Sequence, residues 1–222
     1  MSYQHQYQDG TTIHYPMGKV VCVGRNYAEH ARELGNEVPD KPLLFIKPGS
    51  SVVCPVNGFN IPKDRGAVHF EIEIAVLIGK PLSKMPNEEE VLDAISGYAP
   101  ALDLTLRDVQ DQLKKKGWPW EVAKSFDGAC VIAPFIVSDA VSDTTNIDVR
   151  LTVNGEVRQQ GNSSEMLNPV VPLIQHMAQM FSLQPGDVVL TGTPAGVGPL
   201  QEGDEILMEL PGQKYSFSTF VR

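Results

Sequence analysis

Short apolar segments, many of them alternating with polar residues, recur along this 222-residue chain and are separated by Gly, Pro and Asn. Such segments are typical of half-buried strands. They predict strands over residues 19–23, 43–46, 52–53, 58–61, 70–78, 97–105, 187–190, 205–210 and 215–221. Residues 148–159 predict a hairpin that turns at Asn154-Gly155, a pair favoured in type I′ turns.

Helical signals are fewer. They cover residues 27–34, 87–95, 107–116 and 169–181. The first and third of these helices end before Gly35 and Gly117, and the second begins at Asn87 with Glu90 in the capping-box position. Strands outnumber helices and no regular βαβ alternation is present, so we expect an α+β fold. The length favours a single catalytic domain over residues 1–222, with residues 1–17 as a polar lead-in.

Two carboxylates interrupt the most apolar predicted strand. Glu71 and Glu73 lie two residues apart, so they project from one face about 7 Å from each other. They repel one another unless a cation lies between them, and a hard divalent cation suits that position. The alternative is an exposed strand whose outer face is simply polar.

A third carboxylate strengthens the metal interpretation. Alternation places Asp103 and Thr105 on the strand face opposite Leu102 and Leu104. If this strand lies beside that of the two glutamates, three carboxylates meet. They would leave about three octahedral positions open, which suits Mg²⁺ or Mn²⁺, whereas zinc would require Cys or His at ligand spacing.

A candidate base lies on the first predicted helix. His30 and Glu33 are three residues apart and share a helix face, so the carboxylate can fix the imidazole tautomer while the imidazole takes a proton. The alternative is an ordinary exposed pair. The turn that precedes this helix favours the functional interpretation, because turns at strand ends commonly form the mouth of a site.

Cationic and glycine-rich segments complete the candidate chemistry. Arg25, Arg107 and Lys124 stand beside turns or motifs, whereas the run 114–116 of three lysines is typical of a solvated helix end. Gly192, Gly196 and Gly198 would let backbone N–H groups approach an anion. The segment lacks the Lys-Ser/Thr of a P-loop and the helix of a dinucleotide fingerprint, so neither nucleotide interpretation applies.

Composition limits the partners. The formal charge of −9 argues against nucleic acid and against an anionic membrane surface as the main partner, and so favours a small ligand. The three cysteines are widely spaced in apolar runs, which is typical of reduced core cysteine. No amino-terminal apolar segment and no membrane-length apolar run is present, and we expect a cytoplasmic protein.

Five ordered segments resemble the fumarylacetoacetate hydrolase superfamily over about residues 19–222. They are 23–30 with Glu33, 71–73, 103–110, 124–127 and 185–198. The Gly-Arg-Asn-Tyr start at 24–27 and the compact length most resemble the acylpyruvase branch, which includes fumarylpyruvate hydrolases and oxaloacetate decarboxylases. The resemblance implies a mixed β-roll, with a sandwich-like core and a few peripheral helices, that commonly forms a homodimer.

The resemblance also implies a role for each candidate residue. Glu71, Glu73 and Asp103 would bind Mg²⁺ or Mn²⁺, and His30 and Glu33 would activate water. Lys124 would contact the substrate, and Lys124 or Gln110 would stabilise an oxyanion. The residues implied to contact a small anionic 2-oxo acid substrate are Arg25, Asn26, Tyr27, Arg107, Gln110 and Thr193.

We therefore expect hydrolysis of the C3–C4 bond of acylpyruvates such as fumarylpyruvate or acetylpyruvate. A 2,4-dioxo acid offers its carboxylate and 2-oxo oxygen as a chelate, and cleavage leaves an enolate that a metal can stabilise. Decarboxylation or keto–enol tautomerisation of oxaloacetate stays open, because both use the same chelate without water attack. A metal-loaded binding protein without turnover is the third possibility.

Overall fold

The computed structural model describes residues 3–222, and over that range it contains fifteen strands and five α-helices. The strands are β1 (Val20–Gly24), β2 (Leu43–Lys47), β3 (Val52–Val53), β4 (Val68–Phe70), β5 (Ile72–Ile78), β6 (Ile95–Asp103), β7 (Thr105–Leu106), β8 (Cys130–Ile132), β9 (Ile136–Val137), β10 (Asp148–Val153), β11 (Glu156–Asn162), β12 (Val188–Leu190), β13 (Gly198–Pro199), β14 (Glu205–Leu210) and β15 (Tyr215–Phe220). The helices are α1 (Ala28–Glu33), α2 (Glu88–Ala94), α3 (Arg107–Lys116), α4 (Glu121–Lys124) and α5 (Val170–Met180). The expected mixed α+β architecture is confirmed.

The strands form three sheets. The largest has eight strands in the order β2-β1-β12-β5-β6-β8-β3, with β9 paired to β6. The pairs β1/β12 and β3/β8 are parallel, and the remaining pairs of this sheet are antiparallel. A second sheet has the order β11-β10-β14-β15, and a third has the order β13-β4-β7. The hairpin expected at Asn154-Gly155 joins β10 to β11.

Two predicted strands are each divided between two sheets. The strand expected over 70–78 breaks at Glu71, so that β4 pairs with β7 and β13 while β5 pairs with β6 and β12. The strand expected over 97–105 breaks at Leu104, whose N–H donates to the carbonyl of Ala129 at 2.9 Å. Pairing of Ile72 with Leu102 confirms that the two acidic strands are neighbours. The strand expected over 58–61 is only an isolated bridge between Phe59 and Val221.

Apolar side chains pack on both faces of the large sheet. The larger core contains alternate residues of β5, such as Ile72 and Ile74, and the apolar face of α5. The opposite face packs Ala75 and Leu77 with the amino-terminal lead-in, from which Ile13 is 5% exposed. The lead-in is therefore part of the packed structure rather than a loose polar extension. The positions of Met1 and Ser2 lie outside the described residues.

Helix ends follow the local signals in the sequence. The capping box of α2 forms as expected, because Asn87 Oδ1 accepts from the N–H of Glu90 at 2.9 Å and Glu90 accepts from the N–H of Asn87 at 2.7 Å. Helix α3 ends at Gly117, which has the left-handed φ of 65°. Within residues 3–222, no helix is both long and apolar enough to cross a membrane.

Candidate active site

The breaks at Glu71 and Leu104 form a corner where three carboxylates meet. One oxygen from each of Glu71, Glu73 and Asp103 lies within 4.8 Å of the other two. The three residues are 5%, 1% and 1% exposed. The predicted convergence of these side chains is therefore present, and they face a buried cleft rather than a solvated strand surface.

Backbone close to the glycine-rich segment holds Glu73 in place. The N–H of Gly192 donates to Glu73 Oε2 at 2.6 Å. Gly192 has a φ of +92°, and a Cβ there would lie 2.6 Å from the Cβ of Asn26. A side chain at position 192 would therefore disturb both the loop and the carboxylate.

Two predicted cations neutralise this corner. Lys124, on α4, donates to Glu71 Oε2 at 2.8 Å, Asp103 Oδ2 at 2.7 Å and Thr105 Oγ1 at 2.7 Å. Arg107, at the start of α3, donates to Glu71 Oε1 and to Gln110 Oε1, the latter at 2.9 Å. Both cations are nearly buried, so their charges act on the carboxylates with little screening.

A third buried cation, Lys47, was missed by the sequence interpretation. Lys47 ends β2, is 0% exposed, and has its Nζ 2.7 Å from Asp103 Oδ1. The same ammonium donates to the carbonyls of Ala129 at 3.0 Å and Lys124. It therefore links Asp103 to the backbone that carries Lys124. A lysine followed by proline at the end of a strand gives no sequence signal for this position.

The pKa values of Glu71 and Glu73 are shifted in opposite directions by their surroundings. Burial opposes ionisation of Glu71, yet the charges of Lys124 and Arg107 outweigh it and hold the pKa of that carboxyl well below its usual range. Burial and the neighbouring charges of Asp103 and Glu71 raise the pKa of Glu73. Burial opposes the charged form of Lys124, but Asp103 and Glu71 raise its pKa, so Lys124 stays an ammonium.

His30 and Glu33 form the expected pair on α1. His30 Nδ1 lies 3.4 Å from Glu33 Oε2, and His30 is 5% exposed at the cleft wall. Burial lowers the pKa of His30 despite the nearby charge of Glu71 and the contact with Glu33. The N–H of Gly196 donates to both carboxylate oxygens of Glu33, at 3.1 and 3.2 Å. The glycine-rich segment thus does bind anions, but they are the protein's own Glu33 and Glu73.

The predicted substrate contacts divide into two groups. Arg25, Arg107, Gln110 and Thr193 line the cleft together with His30, Lys124 and the three carboxylates.

Asn26 and Tyr27 do not line this cleft. The side-chain amide of Asn26 donates to the carbonyls of Thr191 at 2.8 Å and Asn168 at 3.0 Å, and its oxygen accepts from the N–H of Asn168. Tyr27 is 3% exposed and packs in the core beside a separate surface depression. Their side chains join the loop to the segment before α5 and to the core, and the expectation that both residues contact substrate stays a prediction.

Lys114 also departs from the sequence interpretation. It begins the run of three lysines, but its side chain is 21% exposed and lines the cleft beside Trp120. Its Nζ lies 5.6 Å from the centre of the Trp120 ring. Burial and the charge of Arg107 lower the pKa of Lys114 to about 8. Lys115 and Lys116 are exposed, as expected for a solvated helix end.

The donor set fits a hard divalent cation. The three carboxylates offer only oxygen ligands, which Mg²⁺ and Mn²⁺ prefer. Burial, together with the charges of Asp103 and Glu71, raises the pKa of Glu73, and a bound dication would oppose that effect. Lys124 already bonds two of the carboxylates, so an ion bound by all three would compete with its ammonium.

Comparisons with known proteins agree with this geometry. Residues 19–218 match the family model described as fumarylacetoacetate (FAA) hydrolase C-terminal. The oxaloacetate tautomerase YcgM of Escherichia coli is 51% identical over 99% of both chains. An oxaloacetate decarboxylase of Dictyostelium discoideum is 42% identical over 87% of this chain and 89% of its own length.

Solved structures show the same fold. A fumarylacetoacetate hydrolase family protein from Yersinia pestis superposes with a TM-score of 0.95 at 49% identity, covering 99% of this chain and 100% of its own. A fumarylpyruvate hydrolase from Pseudomonas aeruginosa, in complex with Mn²⁺ and pyruvate, gives a TM-score of 0.90 at 34% identity, covering 99% and 95%.

These comparisons overturn the expected acylpyruvate hydrolysis. The relative of 51% identity is named for oxaloacetate tautomerisation, whereas the fumarylpyruvate hydrolase is only 34% identical. The expectation was wrong because its evidence, a carboxylate corner beside a histidine, suits any reaction that passes through an enolate. Water attack was an additional step that no residue pattern required.

Proposed function

This chain belongs to the fumarylacetoacetate hydrolase family, and we propose that it interconverts the keto and enol forms of oxaloacetate. The observation that carries the proposal is the 51% identity with the Escherichia coli oxaloacetate tautomerase over 99% of both chains. The site supports it because enolisation needs a base beside an acidic C–H bond and cations beside the oxygen that becomes negative. The cleft contains both.

We assign removal of the proton to His30. In the reaction C3 loses a proton, the C2–C3 bond becomes double, and the 2-oxo oxygen gains a proton. Because burial lowers the pKa of His30, its imidazole is neutral at neutral pH and able to accept the C3 proton. Glu33, 3.4 Å from Nδ1, orients the ring and stabilises the imidazolium that forms. Solvent then exchanges protons with His30 and the enolate oxygen.

The cations of the cleft hold the substrate. Lys124 stays protonated, and its three N–H donors bond Glu71, Asp103 and Thr105. A charge-assisted hydrogen bond to the oxygen on which negative charge develops would replace one of these three bonds. Arg107 and Gln110, already bonded to each other at 2.9 Å, and Thr193 offer donors to the carboxylate next to the 2-oxo group. The proposed substrate is accordingly a small anionic 2-oxo acid.

Glu71, Glu73 and Asp103 are the residues that we propose to hold Mg²⁺ or Mn²⁺. When bound, the ion would supply positive charge that stabilises the enolate oxygen. The Mn²⁺ and pyruvate in the Pseudomonas aeruginosa relative support this choice of ion and ligand.

Decarboxylation of oxaloacetate is the second candidate, supported by the name of the Dictyostelium discoideum relative. It begins from the same bound substrate, but the C3–C4 bond breaks instead of the C3–H bond. Carbon dioxide leaves, and protonation of C3 gives pyruvate. The two reactions therefore share every group named above and differ in their products.

One experiment separates these candidates. Enol-oxaloacetate is mixed with the purified protein in Mg²⁺ buffer, and the ultraviolet absorbance of the enol is followed while pyruvate is measured in the same samples. Tautomerisation predicts fast loss of enol without pyruvate, and decarboxylation predicts pyruvate in equal amount to the oxaloacetate lost. Enol decay at the rate of protein-free buffer, with oxaloacetate bound, would indicate a binding protein and refute the proposal.

A further inference from the structure

The inner part of the cleft has matched charges. Three carboxylates, those of Glu71, Glu73 and Asp103, face three buried cations. The ion pairs in this group are short: Lys47 to Asp103 at 2.7 Å, and Lys124 to Asp103 and Glu71 at 2.7 and 2.8 Å. Little positive charge is left here for a second anionic group of a substrate.

The outer part of the cleft, at the residue pair Arg25 and Lys114, has unmatched positive charge. The nearest carboxylate oxygen to Lys114 is that of Asp111, 3.9 Å away on a side chain that is 54% exposed. Among residues 3–222, Arg25 forms no ion pair, and its one hydrogen bond is from Nη1 to the carbonyl of Glu37 at 3.3 Å. Arg25 Nε is buried and has no hydrogen-bond partner.

The fold directs both side chains toward the same space. Arg107, Gln110 and Lys114 occupy positions i, i+3 and i+7 of α3, so one helix face lines the cleft from its inner to its outer part. Arg25 has the left-handed φ of 59°, a conformation that non-glycine residues rarely adopt. Its place in the turn between β1 and α1 puts it across the cleft from α3.

We propose that Arg25 and Lys114 form a second anion subsite that binds the distal carboxylate of the substrate and selects dicarboxylic 2-oxo acids. This inference rests on the proposed function. The inner donors, Arg107 and Gln110, bind the carboxylate next to the 2-oxo group. The outer residues, Arg25 and Lys114, bind the carboxylate at C4. The lowered pKa of Lys114 is consistent with this geometry, since burial and the charges of Arg107 and Arg25 disfavour its protonation more than Asp111 and Glu71 favour it.

The test compares oxaloacetate with its 4-methyl ester, which has the same carbon skeleton but no distal charge. Tautomerisation kinetics in Mg²⁺ buffer and binding by calorimetry are measured for the wild type, Lys114→Gln and the matched control Lys115→Gln. The subsite predicts that Lys114→Gln lowers kcat/KM for oxaloacetate about tenfold, through KM, because one charge-assisted contact is lost. The same variant changes kcat/KM for the ester less than twofold, and Lys115→Gln changes neither.

The calorimetric measurements keep this inference separate from the proposed function. A wild type that binds oxaloacetate more tightly than the ester, with the difference lost in Lys114→Gln, supports the subsite even if neither compound is turned over. Such a result would refute the tautomerase proposal alone. Equal loss of affinity for both compounds in Lys114→Gln, or a wild type that does not distinguish them, would overturn the subsite.

Discussion

Replacement of Lys47 by Met tests whether the corner formed by the three carboxylates depends on the buried cation that pairs with Asp103. Met has nearly the length and volume of the lysine stem, so the change removes the charge without a large cavity. Asp103 Oδ1, now 2.7 Å from the ammonium, would lose its ion-pair partner, and the carbonyls of Ala129 and Lys124 would lose a donor.

The expected cost is large because every atom involved is buried. Breaking a buried ion pair by removing one partner costs about 3–5 kcal/mol. Lys124 still bonds Asp103 Oδ2 at 2.7 Å, which compensates part of the charge, so we expect about 3 kcal/mol. An exposed pair offers the matched control: Lys63 and Glu202 are 70% and 60% exposed, and Lys63→Met should change the free energy of unfolding by less than about 1 kcal/mol.

The assay is urea-induced unfolding at one fixed protein concentration, with chelator present so that metal binding does not contribute. If Lys47→Met alone does not fold, the double variant Lys47→Met/Asp103→Asn provides the measurement, since it leaves no unpaired carboxylate. A double variant that folds where Lys47→Met does not supports the ion pair. Where both single variants fold, the double variant should be more stable than the sum of their two changes predicts, by roughly 1–3 kcal/mol. A Lys47→Met protein within 1 kcal/mol of the wild type would refute the role given to this ion pair.

Three further predictions concern catalysis. His30→Gln should lower kcat roughly 10²–10⁴-fold because the base is lost. A decrease of less than about tenfold in steady-state assays would contradict the role of His30 as the base. Glu33→Gln should move the acidic limb of the kcat–pH profile to lower pH, since Glu33 raises the pKa of His30; an unmoved limb would argue against the pair. Lys114 loses its charge as the pH rises through about 8, so KM for oxaloacetate should rise above that pH in the wild type and not in Lys114→Gln.

Local sequence signals predicted element types and several ends. The end of helix α3 was predictable because it depends on a local signal, the glycine at position 117 that adopts the left-handed conformation. The capping box of Asn87 is equally local. The corner at Glu71 was not predictable in the same way. Alternation continues through Glu71, and only pairing with strands far along the chain divides this segment between two sheets.

The candidate site was likewise only partly predictable from the sequence. The three carboxylates were found because acidic residues are unusual in apolar strands. Lys47 and Lys114 were missed because each occupies a place where lysine is ordinarily solvated, at a strand end and in a charge run. Asn26 was assigned to substrate because it lies in a motif, yet its amide bonds the backbone of Asn168 and Thr191. The reaction itself was misjudged because hydrolysis, decarboxylation and tautomerisation all pass through an enolate at the same carboxylate corner.

The central claim is that a metal held by the three carboxylates lets this cleft enolise oxaloacetate. The most direct measurement is the initial rate of enol-oxaloacetate loss for the wild type and Asp103→Asn, each with Mg²⁺ and with chelator, after subtraction of the rate in protein-free Mg²⁺ buffer. The account predicts a fast rate only for the wild type with Mg²⁺, and none above background in the other three samples. A wild-type rate that survives the chelator, or an Asp103→Asn rate equal to that of the wild type, would contradict it.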